Sequence, residues 1–488
     1  MKTRRQVIKE MGVGATLLMS TPYLNGCDGN NPVRGSGLDW RPLDQAPVLP
    51  GDTTEPWWLR GNYSPIEAET EFFDLEVIGS IPPELEGTFL RNGPNPYDAP
   101  SGHWFFGDGM LHAVEFADGR AISYKNRYIN TIAFQEKFNG ILGNRGNTAV
   151  VYHGDRLLTL YEGGAPHQVS LTDLTTMGEY HFGDQLLGPM GAHPRIDPVS
   201  DELWFIGYSP APPYLRYTVV DSQGQMLRSE AIDIPAATMM HDCQLTADNL
   251  VIFDFPVAFD LSLLSDGGFP IEWRPQLGSR IGLMPRSGSA SDIRWFEVNN
   301  SYMFHSFNAY TDGEGRTVIE GCRYSQLWGQ GPADFSSAGT IWRWTIDPVS
   351  GTVSEGPIED VSMEFPVIDA RKQGMAHRYN FGLLQRGATP EYPVHPYGIA
   401  AIDRQTGRVD QWEQGHAVQP DEALFIPASP DSAEGEGYLM SVIYDRREDR
   451  SEVAILNAQD VSKGPIARVK LPRRVPFGFH GTWIPKAG

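Results

Sequence analysis

From about Phe72 onward, the chain consists of short runs rich in β-forming residues, separated by clusters of turn residues. Two of these clusters, IDPVSG and IDRQTGRVD, begin 56 residues apart at Ile346 and Ile402, and each places Ile-Asp before a glycine turn and a further strand. This interval suits one blade of a propeller with its loops. Because identity between the two units is weak, the pattern alone leaves a propeller and a large β-sandwich equally open.

The composition agrees with an all-β fold. The 52 glycines and 38 prolines suit many short strands joined by tight turns better than long helices. Apolar residues make up 40% of the chain, which is ample for a core. No helix of more than three turns is predicted, and no internal linker divides residues 57–488, so we expect one domain over that range.

The charge excludes some classes of partner. The net charge is −22, from 39 basic and 61 acidic residues, whereas nucleic-acid binders need a basic surface. The same charge argues against electrostatic docking on anionic lipid. The three cysteines, Cys27, Cys243 and Cys322, do not make a disulfide framework.

Residues 1–27 are predicted to be a targeting segment rather than part of the fold. Paired Arg4 and Arg5 precede a modest apolar run, and TRRQVIK resembles a bacterial twin-arginine export signal. LNGC resembles the end of a lipoprotein signal, where Cys27 would be lipidated, and residues 28–56 would form a flexible tether. We expect an exported chain, periplasmic or anchored on the outer side of the inner membrane. The alternative is a frayed basic terminus with an incidental cysteine, and a cytoplasmic protein.

Four of the 12 histidines are flanked by apolar or aromatic residues and by small or turn residues. They are His193 in GAHPRIDP, His241 in TMMHDCQL, His305 in YMFHSFNAY and His480 in FGFHGTW. Any one of them alone is better explained as a hydrogen-bonded core histidine. Four on separate segments would be a costly coincidence, and a propeller could bring them together on its axis. Four neutral imidazoles suit Fe(II), Zn(II) or Cu(II).

Three glutamates lie in similarly apolar segments: Glu162 in LYEGG, Glu364 in MEFPVI and Glu422 in EALFIP. A metal-bound imidazole commonly donates its other N–H to a carboxylate. These glutamates are therefore candidates for holding the ligand histidines. For each one alone, a solvent-facing glutamate at a strand edge is equally probable.

At these residues the chain resembles the carotenoid cleavage oxygenase family, which includes carotenoid and apocarotenoid oxygenases, retinoid isomerases and stilbene-cleaving dioxygenases. The likeness covers about residues 72–483. It is carried by GTFLRNGPNP (87–96), HWFFGDGMLHAVEF (103–116), GAHPRIDP, MMHDCQL, WFEVNNSYMFHSFNAY (295–310), EFPVI with HRYNFG after it, and FGFHGTW.

The resemblance implies a seven-bladed β-propeller with loops forming a cap over an axial metal site that holds one Fe(2+). His193, His241, His305 and His480 match the family's ligand positions, and Glu162, Glu364 and Glu422 match carboxylates that accept a hydrogen bond from a ligand. The RNGPNP and GDGMLHA stretches are assigned to turns and strands of a first blade rather than to chemistry.

The implied reaction is cleavage of a C=C bond with O₂ to give two carbonyl compounds, the substrate being a lipophilic polyene or a stilbene. In stilbene-cleaving relatives, a lysine beside the first of the three glutamates grips the phenolic oxygen; here that neighbour is Tyr161. This difference favours a carotenoid or apocarotenoid, with a stilbene as the alternative. No acid–base triad is needed.

A lipophilic substrate requires an apolar tunnel with a mouth. Apolar residues of the 259–273 loop could line the entrance or touch a bilayer, although an ordinary surface loop over core residues is the simpler assignment for any single residue. The aromatic candidates for the tunnel near the ligands are Tyr161, Phe304, Phe307, Tyr310, Phe477 and Phe479.

Three other functions remain open from the sequence. A propeller that binds or isomerises lipid without cleavage would keep the same histidines and glutamates. A non-enzymatic scaffold would use the histidines as core groups. A zinc protein is permitted by the ligand set, and only the family resemblance argues for iron.

Overall fold

The structure, a computed structural model, describes residues 55–138, 143–266, 269–328, 337–385, 396–413 and 418–486. The predicted export segment with Cys27, and nearly all of the predicted tether, lie outside the described residues. All described residues belong to one compact unit. The domain boundaries stay predictions.

Regular structure in the described residues is almost entirely β, as predicted. The strands are β1 (Thr70–Phe73), β2 (Val77–Gly79), β3 (Gly87–Pro94), β4 (Gly109–Ala117), β5 (Arg120–Tyr128), β6 (Ala149–His153), β7 (Arg156–Leu160), β8 (His167–Val169), β9 (Thr176–Glu179), β10 (Arg195–Ile196), β11 (Leu203–Tyr208), β12 (Leu215–Val220), β13 (Met226–Ile232), β14 (Cys243–Leu245), β15 (Asn249–Asp254) and β16 (Val257–Phe259). They continue with β17 (Ile271–Trp273), β18 (Ser279–Pro285), β19 (Arg294–Val298), β20 (Tyr302–Thr311), β21 (Thr317–Tyr324), β22 (Thr340–Ile346), β23 (Val353–Val367), β24 (Tyr379–Gln385), β25 (Pro396–Asp403), β26 (Arg408–Glu413), β27 (Val418–Pro420), β28 (Leu424–Pro427), β29 (Gly437–Asp445), β30 (Arg450–Asn457), β31 (Pro465–Lys470) and β32 (Gly481–Pro485).

Helical structure in the described part of the chain is brief. A single turn of α-helix, α1, spans Ile132–Gln135. Within the described residues, no helix has the length and apolar character needed to cross a membrane. The 3₁₀ segments are Trp57–Leu59, Gly61–Tyr63, Trp104–Phe106, Leu261–Asp266, Pro275–Leu277, Ala290–Asp292, Ala370–Lys372 and Val461–Lys463.

The predicted turns lie between strands. In FADGR, Asp118 and Gly119 have φ of 53° and 67°, the left-handed geometry of a two-residue hairpin loop, and they join β4 to β5. IDPVSG joins β22 to β23, and IDRQTGRVD joins β25 to β26. Strands with continuous apolar runs, such as β11 (LWFIGY), are buried along their whole length.

The strands form antiparallel sheets, mostly in chain order. The order is β6-β7-β8-β9, β10-β11-β12-β13, β14-β15-β18-β19, the ribbon β16-β17, and β20 to β26 as one seven-stranded sheet. That sheet changes partners at β23, whose first part pairs with β22 and whose last part pairs with β24. Dividing it there would complete the expected seven blades; this count stays a prediction.

Both ends of the described chain are tied into sheets formed by distant segments. The order β1-β5-β4-β3-β32 places the last strand beside β3, with Arg91 opposite Gly481. The order β2-β31-β30-β29-β27 places an early strand beside a late one. Contacts between neighbouring sheets also join β32 to β6 and to β28. The pairing of β32 with β3 brings His480, the residue before β32, into the interior.

Candidate metal centre

Four histidines from four separate segments meet at one point of the structure. The ligand nitrogens of His193, His241, His305 and His480 all lie within 4.8 Å of one another, and each residue is partly buried. The Nε2 atoms of His193 and His241 are 2.9 Å apart, and those of His241 and His305 are 3.3 Å apart. These are the four histidines that the sequence singled out; their role as metal ligands stays a prediction.

A metal ion fits this spacing. With metal–nitrogen bonds of about 2.1 Å, two ligand nitrogens stand about 3.0 Å apart at a right angle and about 3.4 Å apart at the tetrahedral angle. The observed separations of 2.9 and 3.3 Å lie close to these two values. The set contains nitrogen donors only, which suits Fe(II), Zn(II) or Cu(II).

The histidines converge because each lies at a strand on the edge of its sheet. His193 and His241 shortly precede β10 and β14, His305 is in β20, and His480 directly precedes β32. These four strands are the terminal strands of four different sheets. Contacts join β10 to β14 and β14 to β20. The edges therefore face one another, and residues distant in sequence become neighbours.

The direction of the His305 side chain depends on an irregularity in β20. The register with β21 shifts between Met303 and Ser306 and again between Ser306 and Asn308. In a regular strand, Phe304 and His305 would point to opposite faces, yet both line the same cavity. A bulge can re-aim a side chain in this way.

Each of three histidines has a glutamate at its other ring nitrogen. Nδ1 of His305 lies 2.6 Å from Glu364 Oε2, and Nδ1 of His480 lies 2.7 Å from Glu422 Oε1. Nδ1 of His241 lies 3.0 Å from Glu162 Oε1. A carboxylate at Nδ1 favours the tautomer whose Nε2 lone pair is free for a metal. Among the described residues, no carboxylate lies within ion-pair distance of His193.

Glu364 accepts further hydrogen bonds that hold it in place. Tyr324 Oη donates to Oε1 at 2.9 Å, and the backbone N–H of Phe365 donates to Oε2 at 2.8 Å. Phe365 has a φ of 51°, an unusual backbone geometry for a residue with a bulky side chain. Its ring stacks on His305 at a centroid distance of 5.3 Å. Strain of this kind clusters at functional sites.

Glu422 is held by a buried arginine, Arg91, for which the sequence predicts only a place in the turns and strands of a first blade. Arg91 on β3 donates to Glu422 Oε2 at 3.4 Å, to Asp421 Oδ2 at 2.7 Å, and to the carbonyl oxygen of Phe479. Gly481 N also donates to Glu422 Oε2, at 2.8 Å. Arg91 therefore links β3 to both the carboxylate and the segment that carries His480.

The electrostatics keep two of the imidazoles neutral. Burial, followed by repulsion from the other three imidazoles, holds the pKa of His193 well below its usual value. Burial lowers the pKa of His480 to about 4 although Glu422 opposes the shift. Burial also disfavours protonated His305, but Glu364 outweighs it and raises the pKa. At neutral pH, His193 and His480 therefore have lone pairs available for a metal.

A cavity of about 330 Å³ reaches the histidine cluster. His241, His305 and His480 contribute to its wall, and the rest of the wall is mainly aromatic and aliphatic. From the loop predicted to form an entrance, Phe259, Leu261, Phe269, Pro270 and Ile271 line the cavity. Substrate sites are commonly apolar cavities with a few polar groups.

The six predicted tunnel aromatics divide evenly. Tyr161, Phe304 and Phe479 line the cavity. The other three do not. Phe307 is packed in a core cluster with Cys322 and Met363. Phe477 is buried in another core cluster, against Tyr63 and Trp104, and Tyr310 lies beside His377 and Arg404.

Several wall residues are not predicted from the sequence. The signal for some of them is present in HWFF, at the start of a stretch that carries the family resemblance, which supplies three consecutive wall aromatics. The missed aromatics are Trp104, Phe105, Phe106, Tyr208, Tyr324, Trp328 and Phe365. Thr148 was missed as well; its carbonyl oxygen accepts from His480 N at 3.1 Å.

Comparisons with known proteins agree with this geometry. A family profile described as "Retinal pigment epithelial membrane protein" matches residues 63–485. The chain is 32% identical to a carotenoid cleavage oxygenase of Mycobacterium tuberculosis, covering 88% of this chain and 97% of the relative. It is 30% identical to an isoeugenol monooxygenase of Pseudomonas nitroreducens, covering 88% and 98%.

The fold is similar to that of a solved oxygenase. The crystal structure of Pseudomonas brassicacearum lignostilbene dioxygenase superposes with a TM-score of 0.81 at 29% identity, covering 90% of this chain and 100% of that one. This similarity confirms the predicted all-β, propeller-type fold. The matching profile and the relatives together show that the chain belongs to the retinal pigment epithelial membrane protein family, the family of the carotenoid cleavage oxygenases, and is an oxygenase-type enzyme.

Proposed function

We propose that this protein is a non-haem Fe(II) dioxygenase that cleaves one C=C bond of a carotenoid or apocarotenoid with O₂ and releases two carbonyl products. The observation that carries the proposal is the aromatic cavity of about 330 Å³, whose wall includes three of the four clustered histidines. A double bond held in this cavity lies beside the proposed metal position.

Iron is proposed on the donor set together with the family. Four imidazoles without thiolate permit zinc or copper as well, and membership of the family favours Fe(II). When bound, Fe(II) supplies the electrons that activate O₂. Zinc has no accessible redox change, so a zinc-loaded chain is expected to be inactive in cleavage.

The residues of the chain contribute by position. Glu162, Glu364 and Glu422 orient three imidazoles from behind. The aromatic wall excludes water and aligns an extended apolar substrate with one double bond at the centre. No described residue is required to move a proton in a reaction whose products contain all of the substrate's hydrogen atoms.

The preference for a carotenoid over a stilbene rests on Tyr161, which stands where a lysine is expected for phenol binding and lines the cavity. Burial raises the pKa of Tyr161 to about 12, so the side chain is a neutral hydroxyl rather than a cation. A stilbene is the second candidate, because a neutral hydroxyl still donates a hydrogen bond to a phenol and because the lignostilbene enzyme has a similar fold. Isomerisation or binding without cleavage would use the same residues.

The test uses anaerobically purified protein, analysed for metal and then incubated with an apocarotenal and a hydroxystilbene under ¹⁸O₂. About one iron per chain and two ¹⁸O-labelled aldehydes from the apocarotenal support the proposal. Labelled aldehydes from the stilbene alone establish the second candidate. Label in only one of the two products indicates monooxygenation, and a rearranged substrate without label indicates isomerisation. Absence of any bound metal after Fe(II) addition overturns the metal centre.

We also propose that the chain is exported and anchored through a lipidated Cys27, with the apolar loop 259–273 available for membrane contact. The support is the sequence of residues 1–27, and Leu261 on that loop is 48% exposed. In a bacterial host that supports twin-arginine export, the wild-type chain is expected in the membrane fraction with incorporated fatty acid, and Cys27→Ala is expected without it. Equal fatty-acid labelling of the two would contradict lipidation at Cys27. A wild-type chain that remains in the cytoplasm would contradict export.

A further inference from the structure

One buried carboxylate ties together the segments that carry three of the four histidines. Asp242 directly follows His241, and its side chain is fully buried. It is neither part of the histidine cluster nor part of the cavity wall. Its carboxylate is therefore placed to hold the surroundings of the cluster and not to contact metal or substrate.

Both oxygens of Asp242 accept hydrogen bonds from neighbouring ligand segments. Oδ2 accepts from the backbone N–H of Ser306 at 2.8 Å and from its hydroxyl at 2.6 Å, and Ser306 directly follows His305. Oδ1 accepts from Arg195 Nη2 at 2.5 Å and from Cys243 N at 2.7 Å. Arg195 lies two residues after His193. Four donors use the full acceptor capacity of a carboxylate.

The arginine strengthens the same connection. Arg195 Nε donates to the carbonyl oxygen of Cys243 at 2.8 Å, so its guanidinium bridges the side chain of Asp242 and the backbone of the next residue. The Ser306 hydroxyl in turn accepts from Gln244 Nε2 at 2.8 Å and from Arg195 Nη2 at 3.4 Å. The segments of His193, His241 and His305 are therefore joined by charged and neutral hydrogen bonds that need no metal. His480 is held separately, through Arg91 and Glu422.

We propose that Asp242 is a positioning residue that preorganises His193, His241 and His305 for metal binding by holding their three segments in one arrangement. The inference rests on the metal centre of the proposed function. His193 has the greatest need for such support, because among the described residues it has no carboxylate partner of its own. Groups that hold metal ligands from outside typically change metal affinity about 10–100-fold when they are removed.

The variant Asp242→Asn tests this role. The Asn amide nitrogen takes the place of one carboxylate oxygen, and it can only donate hydrogen bonds. It would therefore be opposed by a donor from Arg195 or from Ser306. The matched control is Glu320→Gln. Glu320 is also a fully buried carboxylate, and it pairs with Arg343 and Arg404 rather than with a donor that adjoins a clustered histidine. A purely structural effect of losing a buried carboxylate would be similar in the two variants.

The full chain is stripped of metal and titrated anaerobically with Co²⁺ alone. Chelator competition measures the Co²⁺ affinity, and the Co²⁺ absorption bands report the ligand geometry. Thermal unfolding of the metal-free form checks the fold. We expect Asp242→Asn to lose about 10–100-fold in Co²⁺ affinity and to shift the bands. Glu320→Gln is expected to keep both, even where its unfolding temperature falls.

Wild-type affinity and unshifted bands in folded Asp242→Asn overturn the inference and leave the proposed function intact. Equal losses of affinity in both variants overturn it as well, because the effect would then be general. A wild-type chain that binds no Co²⁺ overturns the metal centre and this inference together. If Asp242→Asn does not fold, Ser306→Ala is the deciding variant, because it removes one donor to Asp242. We expect it to keep its fold and to lose less Co²⁺ affinity than the roughly 10–100-fold expected for Asp242→Asn. Unchanged Co²⁺ affinity in Ser306→Ala overturns the role of Asp242.

Discussion

Nδ1 of His480 lies 2.7 Å from Oε1 of Glu422, a residue 58 positions earlier in the chain. The same carboxylate accepts from Gly481 N and from the buried Arg91. One carboxylate thus fixes the tautomer of His480 and connects the last strand to β3.

Glu422→Gln is expected to weaken metal binding by about 10–100-fold. His480, Gly481 N and the charged Arg91 all donate to this carboxylate, and the amide would place a further N–H donor among them. Metal content and chelator competition measure this. The control is Glu86→Gln, which alters an exposed carboxylate paired with Lys486 and should leave affinity unchanged. Unchanged affinity in Glu422→Gln would show that the His480 tautomer is held by other groups.

His193→Ala is expected to reduce bound metal below one equivalent while the fold is retained. The residue supplies one of four clustered nitrogens, and its ring has no carboxylate partner among the described residues. Metal analysis after gel filtration, with circular dichroism, is the measurement. His181→Ala, which removes an exposed imidazole whose side chain is 43% accessible, is the control. Full metal content in His193→Ala would remove this residue from the ligand set.

Tyr161→Phe distinguishes the two substrate classes. The change removes a hydroxyl from the cavity wall, so kcat/KM for a phenolic stilbene should fall about 2–10-fold, the value of one neutral hydrogen bond. Activity on a hydrocarbon polyene should be unchanged. Because burial raises the pKa of this tyrosine to about 12, the effect should be constant between about pH 6 and 8, where the substrate phenol is also neutral. Tyr310→Phe, which lies outside the cavity wall, should affect neither substrate, and an equal loss on both substrates in Tyr161→Phe would indicate a packing defect.

His112 is predicted to make the fold sensitive to acid. Burial, with smaller effects of nearby arginines, lowers its pKa from 6.5 to about 3. Between these values the unfolded chain binds a proton that the folded chain does not, so stability falls as the pH drops below 6.5. One such group costs about 2 kcal/mol at pH 5 relative to pH 7.5.

Urea unfolding of wild type and His112→Gln at both pH values tests this prediction. On going from pH 7.5 to pH 5, the free energy of unfolding should fall by about 2 kcal/mol less in the variant than in wild type. Gln also alters the contact with Tyr124, but it does so at both pH values. An identical acid loss in wild type and His112→Gln would mean that His112 is protonated in the folded chain.

The sequence alone was sufficient for the strand class, the turns and the eventual members of the histidine cluster. Turns such as FADGR are local, because Asp-Gly adopts the left-handed geometry that a tight hairpin needs. The histidines stood out because burying an imidazole in an apolar segment costs free energy unless its nitrogens are hydrogen-bonded or bind a metal. The three glutamates followed from the same argument and from the family resemblance, but which glutamate lies at which histidine is seen only in the structure.

Only the tertiary structure decided which aromatics face the substrate and which polar groups support the ligands. Phe304 and His305 both line the cavity and Phe307 does not, because β20 is irregular around His305 and side-chain direction there does not follow simple alternation. Asp242 and Arg91 carry no signal in the sequence as supporting groups, since their partners lie on strands that meet only when the sheets assemble. Local sequence determines strands and turns, whereas cavity walls and buried hydrogen bonds depend on contacts between segments far apart in the chain.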